Sequence, residues 1–244
     1  MAAIQEVLKQ IGQGEISPLY VFYGEERWLI DEALRLLKEK LLPEGDSFNY
    51  ESFDLTEEPV ERALDSAESF TLMGDGRLIV AKGATFLSSG REKETVDHNL
   101  EALENYAANP APHSVFVLVV DKPKLDERKK IVRTLKKQAV VAEAAPLKPG
   151  ELLSWIKERG RVRGVSIEDE AAALLQQFVG GNLSQLDLEI AKLASYAGEG
   201  NGVREEMVLA LTSETAEQNV FQLVNEVAER RMTQAFRTLE NLLR

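Results

Sequence analysis

Apolar positions follow two different periods along residues 1–146. Continuous apolar runs, several of them closed by glycine or a charged residue, predict buried strands, and stripes repeating every three or four residues predict helices. The runs that predict strands cover residues 19–24, 48–55, 77–84, 114–121 and 140–143. The stripes that predict helices cover residues 4–11, 27–41, 60–70, 94–107 and 127–138. Because strands and helices alternate and the strongest strands are apolar on both faces, we expect an α/β unit with a five-stranded, mainly parallel sheet flanked by helices.

The pattern changes at residues 146–149, and only helical periods follow. They cover residues 152–158, 167–179, 183–196 and 203–211, with glycines between them. A last helical stretch occupies residues 220–243. We therefore expect three domains: an α/β domain at 1–146, a small all-α domain at 147–211, and the first helix of a further, truncated helical domain at 212–244.

Composition narrows the chemistry. The chain has 244 residues, no cysteine and two histidines, which excludes disulfides and thiolate chemistry and disfavours a metal centre. Its formal net charge of −12 opposes non-specific binding to nucleic acid by the whole surface. The first residues lack the pattern of a signal peptide, and the longest mid-chain apolar run, Val115 to Val120, is too short to cross a bilayer. We expect a soluble, cytoplasmic protein with no membrane partner.

A glycine between a strand and a helix invites comparison with the phosphate-binding P-loop. That loop needs a Gly-Lys-Ser/Thr sequence after its first glycine, because the lysine and the hydroxyl contact phosphate and magnesium. The segment from Gly24 to Asp31 has Leu29, Ile30 and Asp31 at those positions, and Glu25 begins the loop. We interpret it as a degenerate P-loop that holds no nucleotide.

No other catalytic motif stands out. Asp121 ends a predicted strand where ATPases place a metal-binding acid, but no second acid follows it, so we interpret it as a loop residue paired with neighbouring lysines. Adjacent acids are typical of solvated faces in a chain this acidic. The residues favour a protein that is not an enzyme and holds no cofactor or metal.

The first positive feature is an apolar turn. Phe70, Leu72 and Met73 precede the turn Gly74-Asp75-Gly76, just before the third predicted strand. Large apolar residues at a loop tip either pack beneath the sheet or meet a partner. Spacing alone slightly favours packing, whereas compact leucine and adaptable methionine would suit a groove on another protein.

The second positive feature is a basic stretch at residues 122–137, continued by basic residues at 157–163. The candidates for facing a phosphate backbone are Lys122, Lys124, Lys129, Lys130 and Arg133. A solvated helix face paired with acids elsewhere is the commoner explanation of such a stretch.

Six ordered segments carry a resemblance to a known family. They begin at Pro18, Phe48, Phe70, Ser114, Gly180 and Asn219, with sequences such as PLYVFYGEERWLIDEAL, SVFVLVVDKPKLDERKKIVRTLKKQ and NVFQLVNEVAERRMTQAFRTLENLL. Together with the degenerate P-loop, this set resembles the delta subunit of the bacterial DNA polymerase III clamp loader over nearly the whole chain.

The resemblance implies an AAA+-like protein that binds no ATP, is not itself catalytic, and grips the ring-shaped sliding clamp, the beta subunit, to open one of its interfaces. It implies that Leu72 and Met73 form the clamp-binding pair, with Phe70 beside them and with methionine where relatives often have phenylalanine. It also implies other loader subunits as partners through a collar domain of which only the first helix is present, and primer–template DNA as a partner within the complex.

Two alternatives remain open from the sequence. One is a divergent AAA+ ATPase, which the missing lysine opposes. The other is a DNA-binding module that uses the basic residues between 122 and 163.

Overall fold

The computed structural model describes residues 2–42, 48–70, 76–89 and 96–213, together with residues 223–224, 226–229, 231–232, 234, 236 and 239. Contacts divide the chain into two compact units, Met1–Pro146 and Leu147–Arg244. The predicted division at 146 and 211 stays a prediction, and most of the residues of its third domain lie outside those described.

The first unit is built on one parallel sheet, as the apolar runs predicted. Its strands are β1 (Ala2–Ala3), β2 (Leu19–Gly24), β3 (Tyr50–Asp54), β4 (Arg77–Lys82), β5 (Ser114–Val120) and β6 (Val140–Ala144), in the spatial order β1-β6-β2-β5-β4-β3. Every pair in the sheet is parallel. The five longer strands are those that the sequence predicts, and the two-residue edge strand β1 is an addition.

Helices cover both faces of this sheet. They are α1 (Ile4–Gly12), α2 (Arg27–Leu41), α3 (Val60–Glu68), α4 (Leu100–Ala108) and α5 (Lys130–Gln138). α1 and α2 pack together on one face, and α3, α4 and α5 pack on the other. Central β5 is buried along its whole length, which is why its sequence is apolar at every position after the first.

Three predicted elements of the first unit begin later in the structure than in the sequence pattern. β3 begins at Tyr50 and not at residue 48, since its partner strand starts at Arg77 and pairs Leu78 with Tyr50. α4 begins at Leu100, where the Asn99 side chain accepts a hydrogen bond from the Ala102 amide. α5 begins at residue 130, because the Asp126 carboxylate accepts a hydrogen bond from the Arg128 amide and forms a turn that precedes the helix.

The second unit is mainly helical. Its helices are α6 (Pro149–Val162), α7 (Asp169–Val179), α8 (Leu183–Ala197) and α9 (Glu205–Leu211), and a two-stranded parallel pair joins β7 (Ser166–Ile167) to β8 (Gly202–Val203). The prediction of an all-α unit missed this pair, since two residues are too few to show a period. Asp187 accepts hydrogen bonds from Arg159 and Arg163 and so joins α8 to the end of α6.

No helix within the described ranges is long and apolar enough to span a membrane.

Candidate partner-binding site

The predicted apolar turn lies between α3 and β4. Leu72 and Met73 lie outside the described residues, so the structure defines the site through its two borders, Ser69–Phe70 and Gly76–Arg77. We call the segment 70–76 the α3–β4 loop. Because all strands of the sheet are parallel, the two borders of this loop lie at the amino edge of the sheet, where β4 and its neighbour β5 begin.

Helix α3 approaches the loop with one apolar face against the sheet. Val60, Ala63, Leu64 and Ala67 are buried at the spacing of one helical stripe. The helix stops at residue 68, and Ser69 is extended, with its amide and hydroxyl both donating to the Asp65 carbonyl. The hydroxyl thereby competes with continuation of the helix, which is how serine commonly ends one.

The Ser69 carbonyl is held from two strands at once. It accepts from Arg77 Nη1 on β4 at 3.3 Å and lies 3.1 Å from Nε2 of His113, directly before β5. A carbonyl oxygen can only accept, so His113 carries its proton on Nε2 in this contact. Ser114 adds a third tie by donating to the Ala67 carbonyl at 2.6 Å. These bonds satisfy carbonyls that a helix end leaves without partners.

Arg77 closes the base of the loop. Its residue is 8% exposed, and its guanidinium donates to Glu51 on β3 and to the Ser66 hydroxyl, besides the Ser69 carbonyl. Its backbone amide donates to the His113 carbonyl. The residue that follows the loop is therefore bonded to the residue that precedes it, which fixes the two ends of the loop beside each other.

Phe70 is 87% exposed at the first position of the loop. Its ring lies nearly parallel to the His113 ring, with centroids 5.3 Å apart and planes 18° apart. Such a pair is a recognised aromatic contact. The His113 ring thus contacts one face of the Phe70 ring, and most of the surface of Phe70 is exposed to water.

The degenerate P-loop lies at the opposite, carboxyl edge of the sheet. The amides of Gly24, Glu26 and Arg27 donate to the carbonyls of Lys122, Ala144 and Glu25. A P-loop leaves its amides free to surround phosphate, and here three of them already have partners. Burial raises the pKa of the Glu26 carboxyl.

Asp121 has a partner that the sequence interpretation did not name. Its carboxylate pairs with Arg27 of α2. The Arg27 guanidinium lies 3.7 Å from the Asp31 carboxylate as well. Sequence spacing could not find this pair, because the two residues are 94 positions apart.

Three of the five basic candidates for facing DNA already have partners within the protein. Lys129 donates to the Phe86 carbonyl at 2.7 Å, Lys130 pairs with Glu104 at 2.5 Å, and Lys122 has a partner of its own. Among the described residues Lys124 and Arg133 have no ion pair. An open groove of about 750 Å³ runs along α5 and is lined by Lys130, Arg133, Thr134, Lys136, Lys137 and Gln138.

Within the described ranges, no group of three or more histidine, aspartate or glutamate side chains is arranged to hold a metal ion. The residues that sequence reasoning missed are Arg77 and His113. Arg77 begins β4 and His113 directly precedes β5, and only the fold brings their side chains to the Ser69 carbonyl.

Comparisons with known proteins relate the chain to one family. The family model for the delta subunit of DNA polymerase III matches residues 20–145. DNA polymerase III subunit delta of Bacillus subtilis (strain 168) is 36% identical over 240 residues, which cover 98% of this chain and 69% of that protein. The probable DNA polymerase III subunit delta of Aquifex aeolicus (strain VF5) is 26% identical over 231 residues, covering 92% of this chain and 63% of that protein.

Among solved structures, the Bacillus subtilis DNA clamp loader delta protein is 35% identical and superposes with a TM-score of 0.82. The match covers 98% of this chain and 71% of that one. The chain thus spans about two thirds of the length of these relatives.

Proposed function

Because the chain belongs to the delta-subunit family of DNA polymerase III, a non-catalytic clamp-loader component, we propose that it binds the sliding clamp through the α3–β4 loop and opens one interface of the ring. The family membership confirms the resemblance read from the sequence. The clamp-binding roles of Leu72, Met73 and Phe70, and the opening itself, are the proposal.

The observation that carries it is Phe70. An exposed phenylalanine ring, held by His113 beside a loop whose two ends are bonded together, is the arrangement of a binding tip and not of a core residue. Leu72 and Met73 follow two and three residues later in the same loop, so all three apolar side chains belong to one short segment.

The available binding energy suits ring opening without hydrolysis. Burying Leu72 and Met73 on a partner contributes about 3–6 kcal/mol in total. Shifting a two-state ring from mostly closed to mostly open needs a differential affinity of about 5.5 kcal/mol. A tip that fits only the open interface, together with the contacts around it, therefore supplies a free energy of the required size.

The other partners follow from the family and the basic surface. We place the remaining loader subunits at the collar domain, and primer–template DNA within the assembled complex, with Lys124 and Arg133 the best placed of the five basic candidates. We place the protein in the cytoplasm. The partnered amides at Gly24–Arg27 oppose the alternative of a divergent ATPase.

The test is binding of this chain to its cognate sliding clamp, with the wild type beside Leu72→Ala/Met73→Ala. We expect the double variant to weaken binding at least about a hundredfold, or about 2.7 kcal/mol. Leu188→Ala is the matched control, since Leu188 is 64% exposed on α8 of the other unit and should leave affinity unchanged.

Two results would contradict the proposal. Equal affinities for wild type and double variant would move the binding site away from the loop. Failure of the folded wild type to bind the clamp, combined with binding to DNA alone that falls steeply with salt, would favour the DNA-binding module instead.

A further inference from the structure

The two histidines of the chain lie at opposite ends of α3. His98 accepts a hydrogen bond at Nδ1 from the Val60 amide, at the first residue of the helix, and its ring contacts Phe86 with centroids 4.6 Å apart. His113 lies within hydrogen-bond distance of the Ser69 carbonyl at the other end, and its ring stacks on Phe70. Both thus combine one hydrogen bond at a helix terminus with one aromatic contact, but of the two only His113 touches a described residue of the α3–β4 loop, Phe70.

We propose that His113 is a positioning residue for clamp binding, which holds the base of the α3–β4 loop and the Phe70 ring in the orientation that the clamp accepts. The role rests on the proposed function. Its physical basis is preorganisation: a side chain ordered before binding does not lose its freedom on binding, so affinity falls when the support is removed.

The support has two separable parts. The Nε2–H bond fixes the Ser69 carbonyl and hence the direction in which the chain leaves α3. The imidazole face fixes the Phe70 ring, which has no other aromatic contact among the described residues. His113→Gln keeps a donor without a ring, and His113→Phe keeps a ring without a donor.

The experiment measures clamp affinity and midpoint temperature for wild type, His113→Ala, His113→Gln, His113→Phe and His98→Ala. We expect His113→Ala to bind about tenfold more weakly and each of the other two His113 variants to recover part of that loss. His98→Ala is the matched control, because it removes an equivalent pair of contacts from the same helix while leaving the loop base intact. We expect its midpoint to fall like that of His113→Ala and its affinity to change less than twofold.

A double-mutant cycle adds a readout that general destabilisation would not move. If His113 acts through Phe70, Phe70→Ala in the His113→Ala background should cost markedly less affinity than in the wild type. A second readout needs no clamp: the rate of chymotryptic cleavage at residues 70–73 should rise severalfold in His113→Ala and stay at the wild-type value in His98→Ala.

The outcomes separate this inference from the proposed function. Clamp binding that depends on Leu72 and Met73 but not on His113, or that His98→Ala weakens as much as His113→Ala, overturns the positioning role and leaves the function intact. A folded wild type that fails to bind the clamp overturns both, even where the cleavage rates behave as expected.

Discussion

Replacing Arg77 by methionine tests whether the base of the α3–β4 loop is structurally fixed. Methionine keeps an unbranched side chain of similar reach and removes the guanidinium. The substitution deletes the bonds to Glu51, the Ser66 hydroxyl and the Ser69 carbonyl while leaving the backbone pairing of β4 intact.

The size of the effect follows from the surroundings of each partner. Each of the three bonds contributes about 1 kcal/mol, and the one to Glu51 somewhat more because both groups are charged. The Glu51 side chain is 39% exposed and can rehydrate, and the Ser69 carbonyl keeps His113 as a partner. We therefore expect Arg77→Met to lower the free energy of unfolding of the first unit by about 2–3 kcal/mol, less than the loss of a fully buried pair would.

The assay is urea unfolding followed by the fluorescence of Trp28, in a background where Trp155 is phenylalanine so that the signal reports the first unit alone. Arg35→Met is the control, since Arg35 is itself 44% exposed and pairs with Glu32 and Glu39 one turn away on α2, and such pairs within a helix contribute about 0.2–0.5 kcal/mol each. Equal midpoints for the two variants, at an unchanged denaturant slope, would refute the reasoning.

Two further predictions concern the fold away from the loop. Gly24→Ala should lower the midpoint temperature by several degrees, because a Cβ there would meet the Ala144 carbonyl oxygen at 2.2 Å and the residue has a φ of +133°. Gly12→Ala is the control: a Cβ at Gly12 would have nothing within 4 Å, so this variant should be neutral or slightly stabilising. Equal melting curves for the two variants would contradict this prediction. The hydrogen bond from Arg128 lowers the pKa of Asp126 to about 2, so the charged carboxylate stabilises the fold above its ordinary pKa near 4 and that contribution is lost as pH falls towards 2. The midpoint difference between wild type and Asp126→Asn should accordingly shrink over that pH range, and a constant difference would show that the pair does not stabilise the fold.

The sequence predicted the fold well where periods are long. All five main strands and the helices between them were found because each buries enough consecutive positions to show a period of two, of 3.6, or a continuous apolar run. Helix starts were predicted less accurately. The side chain of Asp126 accepts from the Arg128 amide and forms a turn, and α5 begins only after that turn, at residue 130. Strands of two residues, such as β7 and β8, carry no period at all.

The candidate site was predicted only in its apolar part. The apolar turn was singled out from its sequence, with packing beneath the sheet the favoured alternative for Leu72 and Met73, and the structure shows that Phe70 is exposed at the first position of the loop. The binding role of the three residues stays a prediction. Arg77 and His113 could not be found, because His113 lies 44 positions after Ser69 in the chain and only the alignment of β4 with β5 brings both residues to the Ser69 carbonyl. The pairing of Asp121 with Arg27, 94 positions away, was missed for the same reason.

The placement of the loop supports a protein partner over a small ligand. In open parallel sheets, small ligands bind outside the carboxyl ends of the strands, where the amides of the first turn and the helix termini converge. That edge carries the degenerate P-loop, with its amides bonded to Lys122 and Ala144 and its flank occupied by the pair of Arg27 with Asp121. The two borders of the α3–β4 loop lie at the amino edge, where the exposed ring of Phe70 offers apolar area to a partner. Exposed aromatic area of this kind is what the proposed binding of the clamp requires.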